Sequence, residues 1–403
     1  MGFVAAGQLT EQFFPTSDRD MFHVEVYLPQ HSSIDASLRA SERISTVINQ
    51  YEDIQSIDWF VGANAPSFYY NMMENRDGSA NYAQAMIRTS DFRAANRLIP
   101  ELQNVLDDEF PELQILVRKL EQGPPVNAPV EFRLYGPNLD VLRDLGDELR
   151  RVMLETPDVT HSRATLAGAV PKIWFNVDEE LGLQSGLALR DLSGQLQNSL
   201  DGVVQGSVLE TTQSLPIRIR ASLSERKEMS ALENINFVSP LAASETVNGK
   251  GSDFLGVPLS AIGRLNVAAV RGAIPRRNGQ RVNTVQGFVR DGVLPAKVSE
   301  RISQGLAEKG FTPPPGYRLE LGGEGAERND AVGKLLSSVG VILILLILVV
   351  VLSFNSFRLS GIIFAVAIQA AGLGLLNVFL FGYPFGFTVI IGLLGLIGLA
   401  INA

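Results

Sequence analysis

The chain has no cysteine, only three histidines and two tryptophans among 403 residues, and no run of basic residues. Without cysteine it forms no disulfide and offers no thiolate to a metal. His23, His31 and His161 lie far apart, without metal-ligand spacing or an attendant nucleophile. Each reads as a surface or strand-face residue, so no catalytic residue, metal site or cofactor is expected. The 43 acidic side chains outweigh the 34 basic ones, for a net charge of -9. With no clustered Lys and Arg, this balance excludes a nucleic-acid partner. Charge then disappears from the end of the chain, where Arg358 is the only charged residue between Leu335 and Ala403.

Hydrocarbon takes its place. The stretch "VILILLILVVVL" (341 to 352) would gain roughly 4 to 7 kcal/mol on entering a bilayer, at about 0.3 to 0.6 per aliphatic residue. A membrane region over 331–403 is expected, with three spans at about 335–354, 359–381 and 383–403, each near the 20 helical residues a hydrocarbon core requires. The third reaches Ala403 without a polar flank, so the chain is expected to be a piece of a longer one. The opening "MGFVAAGQLTEQFFP" is too short and uncharged for a signal peptide and reads as the tail of a further span.

Upstream the pattern is α+β. In "FHVEVYL" (22 to 28), Phe22, Val24, Val26 and Leu28 alternate with His23, Glu25 and Tyr27, as in a half-buried strand. A helical stripe follows from Ile34 to Tyr51, with Ser33 and Asp35 at its start. Strands at 54–62 and 81–89, a helix from Phe92 to Leu106 with Pro100 as a candidate break, and a strand at 112–120 complete a βαββαβ order. That order makes a ferredoxin-like split βαβ sheet. The pattern restarts with "VEFRLYG" (130 to 136), a helix after Asn138 and a strand at 159–166. It resumes only at "RVNTVQGFVRD" (281 to 291), a helix from Pro295 to Gly310, and "YRLELGG" (317 to 323). The fold expected is therefore two duplicated ferredoxin-like βαββαβ domains, the second carrying an insertion, followed by transmembrane helices. The boundaries fall at 1–124 for the first domain, 125–169 with 264–326 for the second, and 170–263 for the insert, whose turns include "VNGKGSD" (247 to 253).

Several stretches in this order resemble the resistance-nodulation-cell division (RND) family of efflux transporters, specifically the second half of the permease subunit. They are "FFPTSDRDMFHVEVYLP" (13 to 29), "NYAQAMIR" (81 to 88), "LEQGPPVNAPVEFRLYG" (120 to 136), "GVPLSAIG" (256 to 263), "LELGGEGAERNDAVGKL" (319 to 335) and "IGLAINA" (397 to 403). The resemblance implies two porter subdomains, a docking domain as the insert, and the eighth, ninth and most of the tenth of twelve spans. It also implies a homotrimer in the inner membrane of a Gram-negative bacterium, driven by a proton gradient and coupled to a periplasmic adaptor and an outer-membrane channel. Two departures bear on coupling. Many proton-driven members carry Lys just before the Asn-Ala pair of the tenth span, where this chain has Ile401 before Asn402, and the paired aspartates of the fourth span lie outside the chain.

The function expected is export of hydrophobic or amphiphilic small molecules, with no bond made or broken and the lipid bilayer as a further partner. The loop "APSFYYNMMENRDGSANY" (65 to 82) supplies candidate contacts in Phe68, Tyr69, Tyr70, Met72 and Met73, since Met and aromatic side chains repack around varied shapes. The competing reading is a strand edge continued into the core. A methionine path for soft metal ions is disfavoured because the three spans contain no Met. Ile401 and Asn402 mark the candidate coupling region. Alternatives of another class are a membrane-anchored periplasmic binding or sensor module, and an RND-related exporter of lipid or protein. Met1 to Glu324 is expected outside the cytoplasm, with "NSFRLSG" (355 to 361) as a cytoplasmic loop anchored by Arg358. "LGGEG" (321 to 325) lacks the Lys-Ser/Thr ending of a phosphate loop and reads as a tight turn or hinge.

Overall fold

Strict alternation makes β1 (Met21–Tyr27) a strand with two different faces, and the apolar face draws two helices onto one side of its sheet. The computed structural model describes residue 9 and residues 17–69, 72, 75–122, 126–166, 169–211, 213–222, 228–239 and 256–402. After β1 come α1 (Ile34–Ile48), β2 (Ile54–Val61), β3 (Tyr82–Thr89), α2 (Phe92–Glu109) and β4 (Gln114–Lys119). Ser33 caps α1 by accepting from the Ala36 amide, and Asp91 caps α2 by accepting from the Ala94 amide; such caps contribute about 1 kcal/mol each. The strands pair antiparallel in the order β2-β3-β1-β4, the ferredoxin-like arrangement. Phe22, Val24 and Val26 meet Ile44, Ile48, Leu98 and Leu102 in the core.

Pro100 does not break α2, which runs unbroken to Glu109. An internal proline costs roughly 3 kcal/mol. Ile99, Leu102 and Leu106 are all buried around it, and each contributes about 1.5 to 3 kcal/mol on burial, so packing outweighs the lost hydrogen bond.

The second repeat opens with β5 (Val130–Tyr135), α3 (Leu139–Glu155), capped by Asn138, and β6 (Val159–Ala164). The chain then makes an excursion that forms its own compact unit, Ala169–Arg271. It contains β7 (Ala169–Val177), α4 (Glu179–Gln184), α5 (Leu189–Leu200), β8 (Val203–Leu209), β9 (Ser214–Ile219), α6 (Met229–Glu233), β10 (Asn236–Phe237), β11 (Val257–Pro258), α7 (Leu259–Ile262) and β12 (Gly263–Arg271). Leu187, Leu192, Phe237, Leu259 and Ile262 form its core. Residues 264–271, assigned from sequence to the second repeat, belong to the excursion, because β12 pairs with β7 along its whole length. The turn at 247–253 lies outside the described residues.

The chain re-enters the second sheet through β13 (Arg276–Arg277), β14 (Gln280–Val289), α8 (Pro295–Glu308) and β15 (Arg318–Gly322). Its strands run β6-β14-β5-β15, the same order as in the first sheet. Val130, Phe132, Leu134, Leu149, Val298 and Ile302 form the matching core.

At Gly323 the backbone has φ of 71°, and a Cβ there would come within 2.7 Å of the Pro129 carbonyl. Only glycine fits this turn, which converts β15 directly into α9 (Gly323–Phe354). Asn355, in the left-handed region, and Ser356, whose hydroxyl caps the next helix, are all that separate α9 from α10 (Phe357–Leu380). The loop expected at 355–361 is thus two residues long, since Ser356 starts the helix early. The last helix is α11 (Phe387–Asn402). A Cβ at Gly374 would fall 2.6 Å from the Leu393 side chain, so α10 and α11 meet closely at a small residue. Among the described residues only α10 is long and apolar enough to cross a membrane, while Ile344–Phe354 and Phe387–Leu399 are shorter apolar helices.

Candidate functional site

Alternation places Met21, His23, Glu25 and Tyr27 on the helix-free face of the first sheet, a face that a two-layer domain normally leaves wet. Here it is covered: His23 is 0% and Glu25 6% exposed. The loop after β2 lays Ala65, Tyr69 and Met72 over one end, against Met86 and Leu120. Ala128 and Phe288 of the second repeat cover the other end, against Leu116 and Tyr27.

A carboxylate in such a place must be compensated. His23 Nε2 lies 3.2 Å from Glu25 Oε1, the Tyr27 hydroxyl donates to Oε2 at 2.8 Å, and Arg118 Nη1 is 3.5 Å from Oε1. Burial alone is the largest influence and would raise the Glu25 carboxyl. The His23 hydrogen bond, then the Arg118 and His23 charges and the Tyr27 hydroxyl, together hold it well below the usual carboxylate range.

The second sheet carries a matching string on its own helix-free face. Arg163 donates to Gln286 Oε1 at 2.8 and 3.1 Å, Gln286 Nε2 donates to Glu131 Oε1 at 3.1 Å, and Arg133 donates to Glu131 Oε2 at 3.0 Å. The two strings meet where the Arg163 guanidinium lies 4.2 Å from the Tyr27 ring centroid. Two further contacts join the repeats, a hydrogen bond between His161 Nε2 and Asp107 Oδ1 at 2.8 Å and an ion pair between Lys119 and Asp291 at 3.2 Å. Both contacts are part-buried, with side chains 14 to 30% exposed, so screening by water limits what they add to stability. No nucleophile and base are brought together within them.

The loop residues separate. Phe68 is exposed, whereas Met72 is buried and Tyr69, half-buried, donates its hydroxyl to Ser17 Oγ at 2.8 Å. Tyr70 and Met73 lie outside the described residues. Ile401 and Asn402 fall in the last turn of α11. Among the described residues no three His, Asp or Glu side chains are grouped so as to hold a metal ion. Softer donors are gathered: three of the seven methionines, Met21, Met72 and Met86, share one cluster with Tyr69. Of the three histidines, expected on the surface or on a strand face, His23 sits on the helix-free face of β1 and is buried.

Glu25, Arg118, Glu131, Arg133, Arg163 and Gln286 were not singled out by the sequence reading, because alternation alone assigns such residues to solvent. The signal that points to them is the repeat itself. β1 and β5 are equivalent inner strands, and both carry charge at their centres.

The sequence profile of the AcrB/AcrD/AcrF family matches residues 1–403. The nickel-cobalt-cadmium resistance protein NccA of Alcaligenes xylosoxydans xylosoxydans is 22% identical over 415 residues, which cover 100% of this chain and 37% of that protein. The nickel and cobalt resistance protein CnrA of Cupriavidus metallidurans is 24% identical over 277 residues, 68% of this chain and 25% of CnrA. The chain thus spans well under half the length of these relatives. The crystal structure of a heavy metal efflux pump, in its crystal form II, superposes with a TM-score of 0.77 at 16% identity, over 100% of this chain and 40% of that one. The chain belongs to the AcrB/AcrD/AcrF family of resistance-nodulation-cell division efflux transporters, membrane permeases and not enzymes.

Proposed function

We propose that this chain serves in an inner-membrane efflux pump whose cargo is a heavy-metal cation from the softer end of the series. The observation that carries this reading is the likeness, along the whole chain, to a protein of nickel, cobalt and cadmium resistance. The donor set agrees with the softer end, because thioethers favour soft cations while nickel and cobalt sites are built largely from imidazole and carboxylate.

This reading replaces the export of hydrophobic molecules expected from the loop after β2. Its described Met72 and Tyr69 are spent on packing against the sheet, which weakens the argument for a many-shaped pocket there. The two ferredoxin-like repeats would act as porter subdomains and the excursion as a docking domain, both in the periplasm. A homotrimer, an adaptor, an outer-membrane channel and a proton gradient complete the proposal by family likeness.

The test is a resistance panel with a pump of the relatives' full length that contains this chain, expressed in an efflux-deficient Gram-negative host. Tolerance of cadmium should rise more than tolerance of nickel or cobalt, and tolerance of hydrophobic drugs should not change. A rise confined to hydrophobic drugs would restore the multidrug reading.

A further inference from the structure

In a chain whose acids outnumber its bases, the stretch from Phe254 to Arg290 holds six arginines and no Asp, Glu or Lys. The fold gathers part of it at one end of the second sheet. Asn278 and Gly279, with φ of 51° and 76°, join β13 to β14, the kind of two-residue turn that fixes a hairpin in register. That register sets Arg276 directly opposite Arg281, and Arg277 opposite Gln280. Tyr135 of β5 pairs with Val282 on one side and with Arg318 of β15 on the other, and the Arg318 guanidinium lies 3.9 Å from its ring centroid. Four guanidinium groups thus belong to the same end of the sheet.

Like charges directly opposite each other destabilise a sheet, and nothing within the chain neutralises these. Arg276 donates to the Gly279 carbonyl at 2.9 Å and Arg281 to the Pro137 carbonyl, neutral acceptors that hold the side chains without cancelling their charge. Among the described residues none of the four makes an ion pair. Carboxylates of the neighbouring elements are engaged elsewhere, Asp140 with Arg143 at 2.8 Å and Glu320 with Arg133 at 3.8 Å. Other exposed arginines do find acids, as Arg43 finds Glu112 and Arg97 finds Asp53. Arg276, Arg277 and Arg318 are exposed, so an anion from outside can reach them.

Two classes of anion fit poorly. β15 runs from Arg318 at this end to Gly322 at the other, where α9 begins. About 16 Å of strand, at roughly 3.3 Å per residue, therefore separates the arginines from the root of the membrane helix. That exceeds the screening length of about 8 Å at physiological salt, which excludes lipid headgroups. The net charge of -9 repels a long polyanion such as a nucleic acid. A short run of carboxylates avoids both difficulties, and the planar guanidinium matches a carboxylate in geometry.

We propose that this end of the second sheet is a docking surface for a short acidic segment of a partner protein. Arg276, Arg277 and Arg318 meet its carboxylates, and Arg281 reinforces their field. The inference goes beyond the export reading and does not depend on its cargo.

Fluorescence anisotropy of a labelled polyglutamate peptide, titrated with the purified full chain in neutral detergent at low salt, tests the surface. The wild type should bind the peptide, lose it as salt is raised, and ignore polyglutamine. Arg276→Gln combined with Arg277→Gln should weaken binding about 5- to 20-fold, as expected for two exposed charge pairs. Arg43→Gln combined with Arg97→Gln removes the same charge from arginines that already have partners and should leave binding unchanged. Thermal unfolding gives a second readout. Polyglutamate should raise the unfolding temperature of the wild type more than that of the Arg276/Arg277 double variant. Equal weakening by the two double variants would reduce the effect to net charge and overturn the surface, as would the absence of peptide binding. Self-association of the wild-type chain in analytical ultracentrifugation, abolished by the Arg276/Arg277 double variant, would assign the surface to a second copy and overturn the acidic partner.

Discussion

Glu25 is a buried anion whose partners come from its own strand and from β4, so its behaviour tests the residue-scale account. Removing one partner of a buried pair strands the other charge, at a cost of about 3 to 5 kcal/mol. Arg118→Met should therefore destabilise the protein by about that amount in chemical unfolding, and adding Glu25→Gln should recover part of the loss. Additive effects of the two substitutions would show that the pair is uncoupled. The pH dependence has a definite sign. Because the folded carboxyl lies below its usual value of 4.5, the folded state binds fewer protons than the unfolded state in the acid range. The contribution of Glu25 is fully present above that value and is lost progressively as pH falls beneath it. Glu25→Gln should flatten the acid limb of a plot of unfolding temperature against pH, and an unchanged limb would assign acid sensitivity to other groups.

Among the elements, α3 meets its sheet at Gly146, which faces Asn283. A Cβ at Gly146 would come within 2.2 Å of Asn283 Nδ2, an atom that donates to the Leu142 carbonyl at 2.8 Å while Oδ1 accepts from the Leu166 amide at 3.0 Å. Gly146→Ala gains up to about 1 kcal/mol in helix propensity but forces a fully buried, doubly bonded amide to move, at about 1 to 3 kcal/mol for overpacking and a similar amount for the bonds. Net destabilisation of about 1 to 5 kcal/mol is expected in unfolding measurements, and a stabilised variant would show that Asn283 yields freely. The elements themselves were legible in the sequence, since alternation at Phe22, Val24 and Val26 and helical stripes after Ser33 and Asn138 are local signals. The duplication followed from their repeated order. The end of the excursion at Arg271 was not legible, because strand pairing between β7 and β12 joins residues far apart in the chain. The cover over His23 and Glu25 was hidden for the same reason: alternation says that two faces differ, and only long-range packing decides whether the polar one meets water. The gathering of Met21, Met72 and Met86 likewise depends on how a loop folds back.

For the whole molecule, the absence of cysteine makes topology directly measurable, because any introduced thiol is the chain's only one. In a full-length pump whose remaining parts also lack cysteine, Ser207→Cys, at an exposed position of β8, should react with an impermeant maleimide in intact spheroplasts. Ser356→Cys, in the turn between α9 and α10, should react only after permeabilisation. The reverse pattern would place the ferredoxin-like repeats in the cytoplasm and contradict their proposed role as a porter. The claim on which the rest depends is that the cargo is a heavy-metal cation, and cellular cadmium content tests it most directly. Cells carrying the full-length pump, loaded with Cd2+ and then energised, should lose cadmium faster than cells without it, while retaining a hydrophobic dye equally. Equal cadmium retention with faster loss of the dye would contradict the account.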